Sequence, residues 1–161
     1  MKTSIRKGLG FGLTSGIIAT LGMMIGLNQG THSTTVVLAG IGVIAVTDAL
    51  SDAVAVFMAD ETELKPEVSI WQESLSTFFS KFLIGVSFAL PVIFMDLSDA
   101  VIFSIIYGLI LITILSYFVA KSEKRPVVKI VLGHLAATVV VVIVSALVGG
   151  WVEGVKTNQI I

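Results

Sequence analysis

The hydrophobic positions of this chain form five long runs, separated by short polar stretches. Each run has about 20 or more mostly apolar residues, which is the length that an α-helix needs to cross a bilayer. We therefore predict an all-α integral membrane protein with five transmembrane helices, in a single domain that covers residues 1–161. The predicted helices cover residues 8–27, 35–59, 73–95, 99–120 and 126–152.

The second predicted helix carries two aspartates near its centre. Asp48 and Asp52 are four residues apart, so a helix places both carboxylates on one face, about 6 Å apart along the axis. Aspartate at the centre of a membrane helix costs roughly 2.5–3.5 kcal/mol, and a transported ion is the leading reason to retain two of them. The structural alternative is that the carboxyl groups are neutral, or are hydrogen-bonded to Thr47, Ser51 or a neighbouring helix.

Other polar residues extend the ion-path hypothesis. The second helix is followed by four carboxylates, which could concentrate cations at the mouth of a path, although a solvated acidic loop explains them equally well. These carboxylates are Asp60, Glu61, Glu63 and Glu67. Lys81 either extends its ammonium group towards water or pairs with Asp48 or Asp52. His134 is either a proton relay or a buried, hydrogen-bonded histidine.

Composition supports a membrane location. Of the 161 residues, 55% are hydrophobic and 13% are charged, and the mean hydropathy is +1.01, whereas about a quarter of the residues in a soluble domain are charged. The sequence has no cysteine, which excludes disulfides, thiolate metal sites and thiol catalysis. The net charge of −1 gives no indication of a nucleic-acid partner.

Lysine and arginine positions predict the orientation. They concentrate before the first predicted helix and between the fourth and fifth, and such loops stay in the cytoplasm. We therefore expect the N-terminus in the cytoplasm and the C-terminus outside, and we expect any dimer to be parallel.

The first two predicted helices contain two distinctive segments, GLTSGIIATLGMMIGL from Gly12 and AGIGVIAVTDALSDAVAVFMADETE from Ala39. Together these segments resemble the vacuolar iron transporter family in its prokaryotic form. The chain departs from the family pattern at Phe11 and Val43, where the family has acidic residues, and at Asp52, where it has methionine. The soluble metal-binding insertion between the second and third helices is also replaced by a short loop.

The resemblance implies a proton-coupled transporter that exports Fe²⁺ or Mn²⁺ from the cytosol, as a homodimer with its path between the first two helices of each protomer. It implies metal contacts from Asp48, Asp52, Ser51 and Thr14. It also implies the cell membrane in a prokaryote or the vacuolar membrane in a eukaryote, and no permanently bound cofactor.

Residue chemistry agrees with a hard divalent ion. In a two-fold dimer, Asp48 and Asp52 of both protomers would supply four carboxylates, which suit Mn²⁺, Fe²⁺, Mg²⁺ or Ca²⁺. Like charges so close would also favour protons at the site when no metal is bound.

Two other classes of function, a membrane protease and a membrane scaffold, compete with transport. An intramembrane aspartyl protease needs facing aspartates, usually from different helices, and a rhomboid-type protease needs Gly-x-Ser-Gly where Gly12–Gly16 reads GLTSG. We therefore expect no enzyme activity. A non-transporting membrane scaffold or accessory subunit is the alternative function.

Overall fold

The computed structural model of this protein describes residues 2–158, which form six α-helices and, within that range, no strand. The helices are α1 (Lys2–Thr31), α2 (Thr34–Thr62), α3 (Glu67–Ser87), α4 (Ala89–Phe94), α5 (Leu97–Ser122) and α6 (Val127–Asn158). Residue 1 and residues 159–161 of the predicted domain lie outside the described residues. Helices α3 and α4 together make one span, so five helical segments are long and apolar enough to cross a membrane. The prediction of an all-α, five-span protein is confirmed.

The third span consists of two helices because of Pro91. Proline lacks a backbone N–H, and its ring clashes with the carbonyl group four residues earlier. That residue is Ser87, where α3 ends. The spans also extend beyond the apolar runs, since α1 begins at Lys2 rather than at residue 8 and α3 at Glu67 rather than at residue 73. Segments that contain several polar residues continue both helices, so a search for uninterrupted apolar runs misses them.

Helix α1 lies at the centre of the bundle because its glycines allow close neighbours. Gly8, Gly12 and Gly16 face α3, and a Cβ atom added at Gly12 would lie 2.5 Å from the Thr77 carbonyl oxygen. Gly26, in the second half of α1, faces α6 in the same way. In lipid, such close backbone packing replaces the hydrophobic effect as the force that associates helices.

Two turns at one end of the bundle are built alike. Residues 63–66 read Glu-Leu-Lys-Pro after α2, and residues 123–126 read Glu-Lys-Arg-Pro after α5. The second residue of each turn is left-handed, with φ of 54° at Leu64 and 55° at Lys124. The next N–H donates back into the helix, from Lys65 to the Asp60 carbonyl (3.3 Å) and from Arg125 to the Ala120 carbonyl (2.9 Å), and proline then leads into the next helix. We call this end of the bundle, where α1 also begins, the proximal end, and the opposite end the distal end.

The apolar core fills the middle and the distal half of the bundle. At the distal end, His32 Nε2 lies 3.0 Å from Glu153 Oε1 and joins the α1–α2 turn to α6. The distal half is therefore packed, and the charged groups inside the bundle lie in its middle and proximal parts. The buried core residues are Ile17, Leu21, Met24, Ile25, Val37, Ile41, Phe88, Val92, Ala100, Val101 and Ile112.

Candidate functional site

Lys81 of α3 lies between the two aspartates of α2. Its Nζ donates a hydrogen bond to Asp52 Oδ2 and lies 2.7 Å from Asp48 Oδ2. Only 4% of Lys81 is exposed, so the ammonium pairs with the carboxylates and does not extend to water. Asp48 is at the midpoint of α2, which places this ion pair at mid-depth of a membrane-spanning helix.

The two aspartates are held differently. Asp52 Oδ2 accepts a second hydrogen bond, from Ser15 Oγ of α1 at 2.9 Å. Lys81 Nζ is close to Asp48 Oδ2, but the angle of this contact is not that of a hydrogen bond. Asp48 Oδ2 is therefore buried without a hydrogen bond. Asp52 is therefore anchored by donors from α1 and α3, whereas Asp48 is held by charge attraction alone. With both carboxylates ionised, one negative charge of the cluster remains unneutralised.

Small residues on α2 bring α3 close enough for this pairing. Ala45, Ala49 and Ala53 are buried along one side of α2. The Cβ of Ala45 would be 3.3 Å from a Cβ added at Gly85, and Ser74 Oγ donates to the Ala53 carbonyl at 2.7 Å. Larger side chains at these positions would move α3 away from the aspartates.

A second lysine–carboxylate cluster lies at the proximal end. Lys65 Nζ donates to the buried Asp60 carboxylate and lies 3.1 Å from Glu63 Oε2 and 3.7 Å from Glu73 Oε2. The hydrogen bond to Asp60 raises the pKa of Lys65 well above its usual range, although partial burial acts in the opposite direction. The other Asp60 oxygen, Oδ2, is buried and has no hydrogen bond. Asp60 is eight residues from Asp52 on the same helix, which is about 12 Å along the axis.

A cavity of about 830 Å³ at the proximal end leads towards the central cluster. Its lining includes Asp60 and Glu73 on one side and His134 on another, and Thr14 and Thr77 lie along its wall. The lining also includes Val56, which is one helical turn from Asp52, so the cavity ends about 6 Å short of that residue.

Only part of the metal site that the sequence predicts is brought together. Asp48 and Asp52 share Lys81, as described above. Thr14 lines the cavity, and within residues 2–158 its hydroxyl donates to neither aspartate. Ser51 is exposed on the outside of α2 and does not join the cluster.

Only some residues of the predicted acidic mouth line the cavity, and the predicted proton relay lies at the cavity as well. Asp60 and Glu63 line the cavity, whereas Glu61 and Glu67 are exposed and are not part of its lining. His134 lines the cavity, and its Nδ1 lies 2.7 Å from the buried Ser116 Oγ. His134 therefore has the hydrogen-bonded partner of a structural histidine and also borders space that water can reach.

Two participants were not expected from the sequence. Ser15 is one of several small polar residues in a glycine-rich helix, and Glu73 is the first residue of the third predicted helix, so neither stands out in the sequence. The spacing of Glu73, Thr77 and Lys81 at four-residue intervals could have indicated a polar face of α3 that opposes the aspartates.

The metal-binding capacity of one protomer is small. Within residues 2–158, no group of three or more His, Cys, Asp or Glu side chains is arranged to hold a metal ion. A metal at Asp48 and Asp52 would therefore need further ligands from water or from a second protomer. No protein-family model matches the chain, and neither does any curated protein or solved structure.

Proposed function

We propose that this protein is a proton-coupled transporter of a divalent transition metal, Fe²⁺ or Mn²⁺, which it exports from the cytosol. One observation carries the proposal: two carboxylates and a buried ammonium meet at mid-depth of a membrane helix, one helical turn beyond a cavity whose lining includes charged side chains. Ionisable side chains at that depth are costly and typically mark ion or proton pathways.

Lys81 serves in this proposal as the internal counter-ion of the empty state. A divalent cation that reaches Asp48 and Asp52 replaces the ammonium as the partner of both carboxylates. Protons that arrive from the other side then neutralise the carboxylates as the metal leaves, and they are released to the cytosol when the carboxylates pair with Lys81 again.

The proximal cluster attracts the ion. Carboxylates at the mouth of a cavity raise the local concentration of cations, and Asp60, Glu63 and Glu73 all border the cavity. With the proximal end in the cytoplasm, this arrangement corresponds to a state open to the cytosol and closed at the packed distal half.

A parallel homodimer would complete the ligand set. Helix α1 is largely covered by α3 and α6, whereas α2 exposes an apolar face with Val43, Leu50, Val54 and Met58. Contact through this face would bring Asp48 of two protomers towards one axis, together with the exposed Ser51.

A specific observation favours the second candidate, a non-transporting scaffold. Lys81 already pairs with both carboxylates, so the cluster can act as a structural link between α2 and α3. In that case the carboxylates stabilise the bundle and no ion passes.

Flux in liposomes separates the two candidates. We expect Mn²⁺ and Fe²⁺ uptake that increases with an opposing pH gradient and is abolished in the Asp48→Asn/Asp52→Asn variant. The matched control is Asp96→Asn/Asp99→Asn, which removes two exposed carboxylates from the opposite end and should leave flux intact. Equal flux in the Asp48/Asp52 variant would end the transport mechanism, and absence of flux from the unmodified protein would support the scaffold.

A further inference from the structure

Charges at the proximal end are separated into two sectors. One sector comprises the start of α1 and the α5–α6 turn with its flanks, and the other comprises the α2–α3 turn with its flanks. The basic sector contains Arg6, Lys7, Lys121, Lys124, Arg125 and Lys129, with Glu123 as its acidic residue. The acidic sector contains Asp60, Glu61, Glu63, Glu67 and Glu73, with Lys65 as its basic residue. The preference for lysine and arginine in cytoplasmic loops explains basic residues at this end, but it does not explain why one of the two turns is acidic.

The cavity joins the two sectors, and its basic wall is poorly neutralised. Arg6, Lys7 and Arg125 line the cavity together with His134. Among residues 2–158, Arg6 and Lys7 form no ion pair within 4.0 Å, although Lys7 attracts Glu73 at longer range, and Arg125 has only the exposed Glu123, at 3.8 Å. The carboxylates of the opposite wall are engaged by Lys65. The basic wall therefore has unsatisfied capacity for an anion.

The surroundings of this wall are those of a membrane–water boundary. The ammonium of Lys121 lies 5.7 Å from the ring centroid of Tyr117, and tyrosine and lysine are typical of that boundary. The apolar side chains of Phe118, Val128 and Leu132, on α5 and α6, are exposed beside the basic turn. Helices α1 and α6 both begin at this end, and their dipoles add positive potential.

We propose that the basic sector binds the phosphodiester headgroup of an anionic phospholipid between Arg6 of α1 and Arg125 of the α5–α6 turn. Arginine forms paired hydrogen bonds with phosphate oxygens, and clusters of four to eight basic residues beside a membrane helix are typical of anionic-lipid binding. The exposed apolar residues of α5 and α6 would contact the acyl chains, which favours a lipid over free phosphate. The lipid proposal does not rest on metal transport, because it requires neither Asp48 nor Asp52, although its site and the proposed metal entrance are two walls of one cavity.

Lipid retention in native mass spectrometry tests this site. The purified protein is delipidated in detergent and titrated with phosphatidylglycerol, phosphatidylcholine or inorganic phosphate. We expect selective binding of phosphatidylglycerol, and roughly thirtyfold weaker binding in the Arg6→Gln/Arg125→Gln variant. The matched control, Lys124→Gln/Lys129→Gln, removes the same charge from exposed positions that do not line the cavity. Because exposed charges that do not contact the headgroup are screened, this control should bind within about threefold of the unmodified protein.

Three results would overturn the proposal. Equal binding of phosphatidylglycerol and phosphatidylcholine would show that binding does not depend on the charge of the headgroup. Equal weakening in the two variants would show diffuse attraction rather than a site at Arg6 and Arg125. If inorganic phosphate at an equal concentration displaces the lipid fully, the site binds small anions in general and has no preference for a lipid.

Discussion

Replacement of Lys81 by methionine tests whether the central cluster is an ion pair on which the bundle depends. Loss of one partner from a buried ion pair costs about 3–5 kcal/mol, because the other charge is left without compensation. The side chains of Asp48 and Asp52 keep 31% and 23% of their exposure, so water screens part of this cost. We therefore expect Lys81→Met to lower the free energy of unfolding by about 3 kcal/mol.

The assay is unfolding by sodium dodecyl sulfate in mild detergent, followed by tryptophan fluorescence. Trp71 of α3 packs edge-to-face on Phe57 of α2, with ring centroids 5.1 Å apart, so its emission reports separation of the two helices. A Trp151→Phe background removes the other tryptophan. Lys129→Met is the control, because Lys129 is exposed.

A cycle of variants isolates the charge interaction from the change of shape. Lys81→Met combined with Asp48→Asn and Asp52→Asn leaves no ionised group in the cluster, and we expect its stability to lie within about 1 kcal/mol of the unmodified protein. If Lys81→Met behaves like Lys129→Met, or if the triple variant is less stable than Lys81→Met alone, the ion pair does not stabilise the bundle and our reading of the cluster is wrong.

Two further predictions concern packing and the proximal cluster. Gly12→Ala should destabilise the protein by about 2 kcal/mol, because the added Cβ would collide with Thr77 and Ser80 of α3. The control is Gly42→Ala, whose Cβ meets no atom within 4 Å and which should be neutral in the same unfolding assay. Equal effects of the two substitutions would contradict the close α1–α3 contact. Lys65→Met should lower the free energy of unfolding by about 3 kcal/mol, and by the same amount at about pH 7 and about pH 9. Because the pKa of Lys65 is raised, the lysine stays charged over this pH range, and its contribution to stability is lost only in stronger alkali. A cost that falls between those two pH values, measured by denaturant titration, would show that the Asp60 hydrogen bond does not hold the proton on Lys65.

The helical spans could be predicted from the sequence because lipid imposes a simple rule. Every backbone polar group inside the bilayer must be satisfied within its own helix, so long apolar runs identify the spans. The ends of the spans could not be predicted in the same way. Residues 2–7 are mostly polar and residues 67–72 mix polar and apolar side chains, yet both segments continue their helices, α1 and α3, because backbone hydrogen bonding propagates a helix beyond its apolar run.

The central cluster could be predicted only in part. The four-residue spacing of Asp48 and Asp52 placed them on one face, and pairing with Lys81 was one of two alternatives for that lysine. The sequence did not decide between them, because the result depends on the distance between α2 and α3. That distance follows from long-range packing at Ala45, Gly85 and Ser74, which no local pattern encodes.

The contact of α3 with α1 differs from its contact with α2, and this difference indicates which contact can change in the proposed transport cycle. Its contact with α1 relies on Gly8, Gly12 and Gly16, where a methyl group already collides, so this pair moves as one unit. Its contact with α2 combines small-residue packing at Ala45 and Gly85 with two lysine–carboxylate clusters about 12 Å apart along the helix. Ion pairs can be exchanged for a metal or a proton, whereas close backbone packing cannot. In the proposed mechanism, release of the aspartates from Lys81 requires either a new side-chain conformation of Lys81 or movement of α2 away from the α1–α3 pair, and movement of α2 would also break the bond from Ser15 to Asp52. Metal binding at the aspartates is thus coupled to a change in the α2–α3 contact.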